Sequence, residues 1–450
     1  MAAGSRRLLS TGEILQVAKA RFLQLSSQHR IDLSKLKHFF DASQFNLSGD
    51  EIKDVELVLL LLASAHKFAS RQIDQSTKFL SWCQFLSSPS GSPAQRLVHF
   101  FTKSLQERID REIGKEDMEQ DDDRGRQMKQ SCPNLALIAC SLQLPYIQVT
   151  QFAGIQTVVE SVASARKVHF IDLAIRSGGQ CTVLMQALAN RQGIPVEMLT
   201  VTAVATGDSE RRSIEETGKR LASFAETMNI PFRFNCVTVA GGFRDLKEEM
   251  FEIGGGDGGG GGDTAVAVYA WDIMRNVRAQ PEGLDSLYGV LRNLNPCAIV
   301  VTEFEANHDS TEFVERFDGA ITLYSALFDC VDDCLDRSDG DRGILESTVG
   351  REIRDAVTVV DEDERVFRPM RVEEWRDYFS RVGMVELEIS TSSFYQAALL
   401  VRNFASGDSC TVDRDGKCLI TGWKGTPLLS VSAWKFYRQV PKRLRPKKFV

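Results

Sequence analysis

No CxxC pair, HExxH helix, GxSxG elbow, P-loop or DxDxDG calcium loop occurs in the 450 residues. Each of those motifs places ligands or a nucleophile at a spacing its chemistry requires, so the common metalloprotease, serine-hydrolase, nucleotide-hydrolase and calcium-sensor patterns are missing. Histidine is scarce: His29, His38, His66, His99, His169 and His308 form no metal-ligand set. The ten cysteines are scattered, several within apolar runs, as suits reduced core thiols in a reducing compartment. Cys330 and Cys334 have the spacing of one helical face, yet no nearby His or second Cys pair completes a zinc set. No catalytic set, no metal and no cofactor is therefore expected.

Positive charge is also in deficit. A formal net charge of -7 argues against a nucleic-acid footprint over the whole surface, because phosphate binding draws on clustered Lys and Arg. Any DNA contact is expected to be local, or indirect through a partner. The most apolar run, residues 57–65, is about half the roughly 20 residues of a membrane helix, so no membrane contact is expected. The opening MAAGSRRLL leads into mixed polar sequence instead of an apolar core, and no secretory signal is expected. No internal repeat is apparent.

What is present is an ordinary globular composition, 43% hydrophobic and 26% charged, arranged in three rhythms. From residue 11 to about 156 the apolar period is helical, as in Ile14, Val17, Ala18 and Phe22, or Val55, Val58, Leu59, Leu62 and Ala63. This predicts a helical layer, broken by a Ser/Pro/Gly loop at residues 87–93. Residues 112–130, dense in both charges, read as a solvated loop, with an acidic partner-binding patch as the alternative. The middle of the chain alternates strand and helix, with strands at 198–204, 232–239, 266–270 and 298–303, which implies a parallel sheet. The insert GGGDGGGGGD, residues 254–263, reads as a flexible surface excursion. Short runs at 385–389, 397–401, 418–422 and 428–434 read as antiparallel strands closing the sheet's edge. Lys442, Arg443, Arg445, Lys447 and Lys448 make a basic tail, read as an import signal, a phosphate contact or a solvated terminus.

The stretch KVHFIDLAIRSGGQCTVLMQAL, residues 167–188, organises the rest: a buried strand, Asp172 at its carboxyl end, a turn at Gly178 and Gly179, then an amphipathic helix. In a doubly wound sheet that carboxyl edge is where ligands bind. Without a full GxGxxG the stretch is weak as a nucleotide fingerprint and reads first as architecture. Carboxylates recur after successive strands: Asp172, Asp208 with Glu210, Asp272, and Glu303 with Glu305. Asp172, Gly178, Gly179 and Asp208 are the candidate ligand cleft; Asp208 has the place of a ribose-holding carboxylate, or of a helix N-cap. His169 lies inside the strand, where a packed, hydrogen-bonded ring is expected in preference to a general base.

Several segments resemble, in order, the motifs of the GRAS family of plant transcriptional regulators. LVLLLLASAHKFA with SPSGSPAQRLVHFFTKSL is similar to the first leucine-rich region, and Val168, His169, Phe170, Ile171 and Asp172 to the central VHIID motif. TGKRLASFAETMNIPFRF resembles the second leucine-rich region, and VVTEFEANHDSTEFVERFDGAITLYSALFD the PFYRE region. GREIRDAV with ERVFRPMRVEEWRDYF is similar to the block before the terminal one. WKGTPLLSVSAWKF, with Trp423, Gly425, Ser432, Ala433 and Trp434, resembles the terminal SAW motif. The chain departs from the pattern at Gly154, where Asn is usual, at Ser177-Gly178 for Gln-Gly, at Cys181 for Trp, and at residues 359–362 for an ACEG-like stretch.

The resemblance implies an α/β fold: a Rossmann-like, methyltransferase-related sheet with an N-terminal helical cap and antiparallel C-terminal strands. It divides the chain into a helical extension at 1–50, a GRAS domain at 51–434 (cap 51–160, α/β core 161–434) and a basic tail at 435–450. It further implies a non-enzymatic nuclear regulator acting through DNA-binding transcription factors and other GRAS proteins, as a possible homo- or heterodimer. Leu59, Leu60, Leu61 and Leu62 are the partner-binding candidates, being too apolar a run to fit one helical face, although burial is expected for most of it. No DELLA or TVHYNP segment precedes the cap, so gibberellin-triggered degradation is not expected. The alternative function is an S-adenosylmethionine-type methyltransferase or small-molecule sensor using the cleft.

Overall fold

The computed structural model describes residues 8–27, 47–114, 134–251, 264–274, 281–308, 310–336, 340–359 and 369–437. Of the charged stretch at 112–130 all but residues 112–114 lies outside the described residues, as do the glycine-rich insert and the basic residues at 442–448.

The first third is helical: α1 (Thr11–Ser27), α2 (Gly49–Ala69), α3 (Ile73–Leu86), α4 (Pro93–Glu112), α5 (Asn134–Gln143) and α6 (Pro145–Ser161). Local chemistry explains the starts. Ser48 and Glu51 form a reciprocal capping box on α2, and Ser92 caps α4 with Pro93 in its first turn. Because α2 is apolar on all sides, it must be enclosed on all sides. It runs through the middle of the cap against α1, α3, α4 and a later helix.

The α/β half follows: β1 (Lys167–Asp172), α7 (Gly179–Ala189), β2 (Met198–Ala205), α8 (Asp208–Thr227), β3 (Phe232–Thr238), β4 (Thr264–Trp271), α9 (Pro281–Leu294) and β5 (Ala298–Phe304). Next come α10 (Phe313–Cys334), α11 (Gly340–Thr358), α12 (Val372–Arg381), β6 (Met384–Leu387), α13 (Thr391–Val401), β7 (Cys410–Asp415), β8 (Cys418–Trp423) and β9 (Thr426–Phe436). The strands make one nine-stranded sheet in the order β3-β2-β1-β4-β5-β9-β8-β7, with β6 also paired to β9. The first five are parallel; β9 runs antiparallel beside β5, from Ile299 opposite Trp434 to Phe304 opposite Leu429. The order reverses between β1 and β4, which places a switch-point crevice at their carboxyl ends.

The two faces of the sheet are covered differently. On one, Val168 and Phe170 of β1 join an apolar core shared with α6, α7, α8 and, through α10 and α11, the whole cap. On the other, Ile171, Val204, Val268 and Val301 pack under α9, α12 and the short 3-10 turns at Gly242–Asp245 and Glu248–Phe251.

One expected strand is a helix instead. Residues 397–401 are the last turns of α13, which Ser390 caps through the Ser393 N–H and whose Ala397 and Val401 are buried. The helical period begins upstream, at Phe394, outside the window that reads as extended. Conversely, β7 was not expected; its Asp413, Arg414 and Asp415 give it the charged character of a protected edge strand.

Candidate functional site

At the carboxyl end of β1 the chain leaves the strand at Asp172, turns through Arg176 (φ 48°) and Gly178 (φ 75°), and enters α7. Asp172 is fully buried. Its carboxylate accepts hydrogen bonds from Gln180 Nε2 at 2.6 Å and from the Ala174 N–H at 3.0 Å. Burial pushes its carboxyl up to about 6, the two hydrogen bonds pulling back. Gln180 also donates to the Ile175 carbonyl at 3.0 Å, and its Oε1 accepts from Gln151 Nε2 of α6 at 3.4 Å. Across the crevice, Asp272 follows β4 with φ 51° and pairs with Arg176 at 3.0 Å. Two non-glycine residues in left-handed backbone therefore face each other over the switch point and are held as an ion pair, a local strain sustained by the surrounding contacts.

The glycines leave little room for a ligand there. A Cβ on Gly178 would lie 2.9 Å from Thr217 Cγ2 and 3.2 Å from Leu221 Cδ1, so α8 packs straight onto the turn. A Cβ on Gly179 would lie 3.3 Å from Gln151 Nε2. Gly154, which stands where Asn is usual, lies under Tyr269 and Val300, whose carbons would be 3.0 and 3.1 Å from an added Cβ. Two cavities lined by described residues, one of about 520 Å³ between α8 and β3 and one of about 480 Å³ between α1, α10 and the β8–β9 turn, lie away from this crevice.

The other strand-end carboxylates serve the backbone. Glu210 accepts from Thr206 N and Oγ1, both at 2.7 Å. Glu303 accepts from the Met274 N–H at 2.8 Å. Glu305 accepts from the Val372 N–H at 3.0 Å, and burial pushes its carboxyl up to about 7. Asp208 is exposed at the start of α8, whose N-cap is Gly207; Asp208 is the first helical residue and not the cap. Asp172, Gly178 and Gly179 thus come together at one turn, while Asp208 stands at the start of α8, after the neighbouring strand β2.

His169 is buried, with Nε2 2.8 Å from Thr202 Oγ1, and burial lowers its pKa to about 4. Val168, Phe170 and Ile171 are core residues on alternate faces of β1. Leu59, Leu60, Leu61 and Leu62 are all enclosed, none more than 8% exposed. The part of that run expected at an interface is instead covered by the cap helices, since a helix hydrophobic all round is sheltered within its own fold. Exposed apolar side chains of the cap include Trp82, Phe85 and Leu86 at the end of α3, with Trp82 and Phe85 in edge contact at 6.4 Å, as well as Ile113 and Leu142.

The terminal motif is structural. Trp423 ends β8, and Lys424 and Gly425 form the β8–β9 turn, both with positive φ, the signature of a tight two-residue hairpin. Ser432, Ala433 and Trp434 lie in β9, and Trp434 Nε1 donates to Ser432 Oγ at 2.9 Å. Reading the sequence missed Arg176, Gln180 and Gln151, the side chains that fill the crevice; the polar pair Arg176 and Gln180, bracketing the glycines of an otherwise apolar strand-turn-helix, was the available signal.

A sheet in this order, with an antiparallel strand inserted beside β5 and a helical cap over one face, defines a Rossmann-like domain whose ligand edge is packed with its own side chains. The sequence pattern of the GRAS domain family matches residues 57–435, and the chain belongs to that family of plant regulators. It is 29% identical over 391 residues to the DELLA protein RGL1 of Arabidopsis thaliana, covering 85% of this chain and 70% of that protein. It is 32% identical over 291 residues to the DELLA protein RGL3 of the same plant, covering 65% and 54%. To DELLA protein 2 of Medicago truncatula it is 28% identical over 384 residues, covering 85% and 68%. The alignments thus span 54% to 70% of the relatives' own lengths. The crystal structure of SCL7 in Oryza sativa has the same fold, with a TM-score of 0.71 at 23% identity, covering 84% of this chain and 99% of that one.

Proposed function

We propose that the protein is a nuclear transcriptional regulator that works by protein–protein contact, recruiting or being recruited by DNA-binding transcription factors, and that it has no enzymatic activity of its own. The observation that carries the reading is the closed switch point. Gln180 occupies both the Asp172 carboxylate and the Ile175 carbonyl, and Arg176 spans the opening to Asp272. A methyl donor would need those polar groups for itself and would have to displace two internal pairs. The acidic balance of the chain supports an indirect contact with DNA. The exposed Trp82, Phe85 and Leu86 supply, in this reading, part of the partner surface, aromatic residues being the usual anchors of such interfaces.

The test uses the intact chain immobilised in a plant nuclear extract, with a Trp82→Ser, Phe85→Ser double variant beside it. Recovery of DNA-binding transcription factors by the wild type, reduced at least about tenfold in the variant, is the expected result. S-adenosylmethionine is expected to leave the melting temperature unchanged. A clear thermal shift with the methyl donor, beside an empty capture, would replace this reading with the sensor or methyltransferase.

A further inference from the structure

Near the end of α10 two thiols meet. Cys330 and Cys334 lie one turn apart with their sulfurs 4.0 Å from each other. They differ in setting: Cys330 is fully enclosed, whereas Cys334, the last residue of the helix, is partly open to solvent. Around Cys334 the chain converges from three directions. Lys424 of the β8–β9 turn pairs with the neighbouring Asp333 at 2.7 Å, and Ser406 Oγ donates to the Asp333 carbonyl at 2.9 Å. The bond from Cys330 holds the Cys334 thiol below its ordinary value, with smaller help from Ser406 and Lys424 against burial and Asp333. Burial pushes Cys330 well above the ordinary value. A partly open sulfur with a lowered pKa, 4.0 Å from an enclosed one with a raised pKa, is the arrangement that separates an attacking from a resolving cysteine.

We infer that Cys330 and Cys334 form a hydroperoxide-oxidisable pair, a modification site in which Cys334 attacks and Cys330 resolves. The Cys334 thiolate attacks the distal oxygen of a hydroperoxide. An S–O bond forms, the O–O bond breaks, and the departing alkoxide or hydroxide takes a proton from water. Sulfur is oxidised to the sulfenic acid and the peroxide is reduced. Cys330 then attacks the Cys334 sulfur, the S–S bond forms, the S–O bond breaks, and the leaving hydroxide takes the Cys330 proton as water. Overall, two thiols and one hydroperoxide give a disulfide, an alcohol or water, and one further water.

The disulfide reaches beyond its own atoms. Residues four apart on a helix hold their Cβ atoms about 5–6 Å apart, whereas a disulfide draws them to about 3.5–4.5 Å. The terminal turn of α10 must therefore deform. That turn carries Asp332, which accepts from Arg96 of the cap at 3.0 Å and from Arg342 of α11 at 2.9 Å, as well as Asp333 with its Lys424 partner. Oxidation thus loosens the contacts that tie the cap and the terminal hairpin to α10.

The intact chain is treated with equimolar hydrogen peroxide and its peptides are mapped. Both cysteines fall within one tryptic peptide, so their disulfide appears as that peptide lighter by two hydrogens, reversible with dithiothreitol. Cys330→Ser, which removes the resolving thiol, is expected to leave Cys334 as a sulfenic acid trapped by dimedone. Before oxidation, iodoacetamide is expected to label Cys334 at least about tenfold faster than the partly buried Cys236 and Cys297. Hydrogen exchange around residues 331–335 and 423–425 is expected to quicken in the oxidised chain. Equal labelling of the three thiols, a link from Cys334 to Cys410, or no dimedone adduct in the Cys330→Ser chain would overturn the pair. Unchanged exchange in the oxidised chain would overturn its coupling to the cap.

Discussion

The two covers of the sheet are built on different principles. Under α9 and α12 the contact is aromatic: Trp375 stacks on Phe379 at 5.3 Å, Phe379 meets Trp434 at 4.8 Å, and Tyr288 stands edge-on to Phe379 at 6.4 Å. On the opposite side, where the cap joins α10 and α11, apolar packing is threaded with buried charge. Asp332 accepts from both Arg96 and Arg342, and Arg342 also reaches Glu346 at 2.9 Å. Arg316, 3% exposed, donates to the Ala356 carbonyl at 3.0 Å and the Ser310 carbonyl at 2.8 Å. Apolar contact is strong but undemanding about register, whereas a buried guanidinium is tolerable in only one arrangement. The two faces thus differ in kind, aromatic packing under α9 and α12 and buried ion pairs where the cap meets α10 and α11.

The sharpest way to break this contrast is Trp434→Ala. It empties a fully packed aromatic site and removes the donor to Ser432, and it is expected to cost about 3–5 kcal/mol in denaturant unfolding. A loss below about 1 kcal/mol would mean that the aromatic layer is not what holds that face. Arg342→Ala, which takes one guanidinium from Asp332 and the closest partner from Glu346, is expected to cost about 3 kcal/mol. Because the network is enclosed, that loss should persist in 0.5 M salt, added only as a probe of screening over roughly a few ångströms. A loss that vanished with salt would turn the network into a surface feature.

A third expectation contrasts two neighbours on β1. The His169 pKa is depressed from 6.5 to about 4, so its contribution is present above 6.5 and is lost as pH falls toward 4. The Asp172 pKa is raised from 3.8 to about 6, so its contribution is present below 3.8 and is lost as pH rises through 6. Over about pH 4–6.5 the two oppose each other, each by about 3 kcal/mol at most. Asp172→Asn should steepen the loss of stability on acidification, and His169→Gln should flatten it. Parallel pH profiles for the two variants would show that neither group titrates with folding. The smallest effect belongs to the turn itself. Gly178→Ala, forced to φ 75° against Thr217, is expected to cost about 1–2 kcal/mol, read as a lower melting temperature.

Much of the architecture is legible in the residues. Alternating apolar runs announce the parallel strands, and the Ser/Pro loop before Pro93 marks a helix start because both residue types have a defined place there. The crevice is only half legible. Asp172, Asp272 and the glycine pair can be picked out, since a strand end and a tight turn carry local signatures. The left-handed reversal at Arg176 and the reach of Gln180 back to Asp172 show in the sequence only as a polar pair bracketing the glycines, which marks the residues but not their partners. Each depends on neighbours brought in by β4 and α6, so it exists only after folding. The leucine run shows the same limit. Its composition says that it must be covered but is silent on whether the cover is another chain or the protein's own helices, and the structure supplies the latter.

β9 is the last of the described strands but not at the sheet's margin; it lies between β5 on one side and β8 and β6 on the other. On the ribosome, the edge of β5 and the apolar residues beside it have no pairing partner until residues 426–436 have emerged. Until then that side of β5 is a bare strand edge, the kind of surface that pairs with other chains. A message truncated anywhere upstream of those residues yields a chain that cannot close, and cellular quality control would meet it as an aggregation-prone edge instead of a weakened regulator.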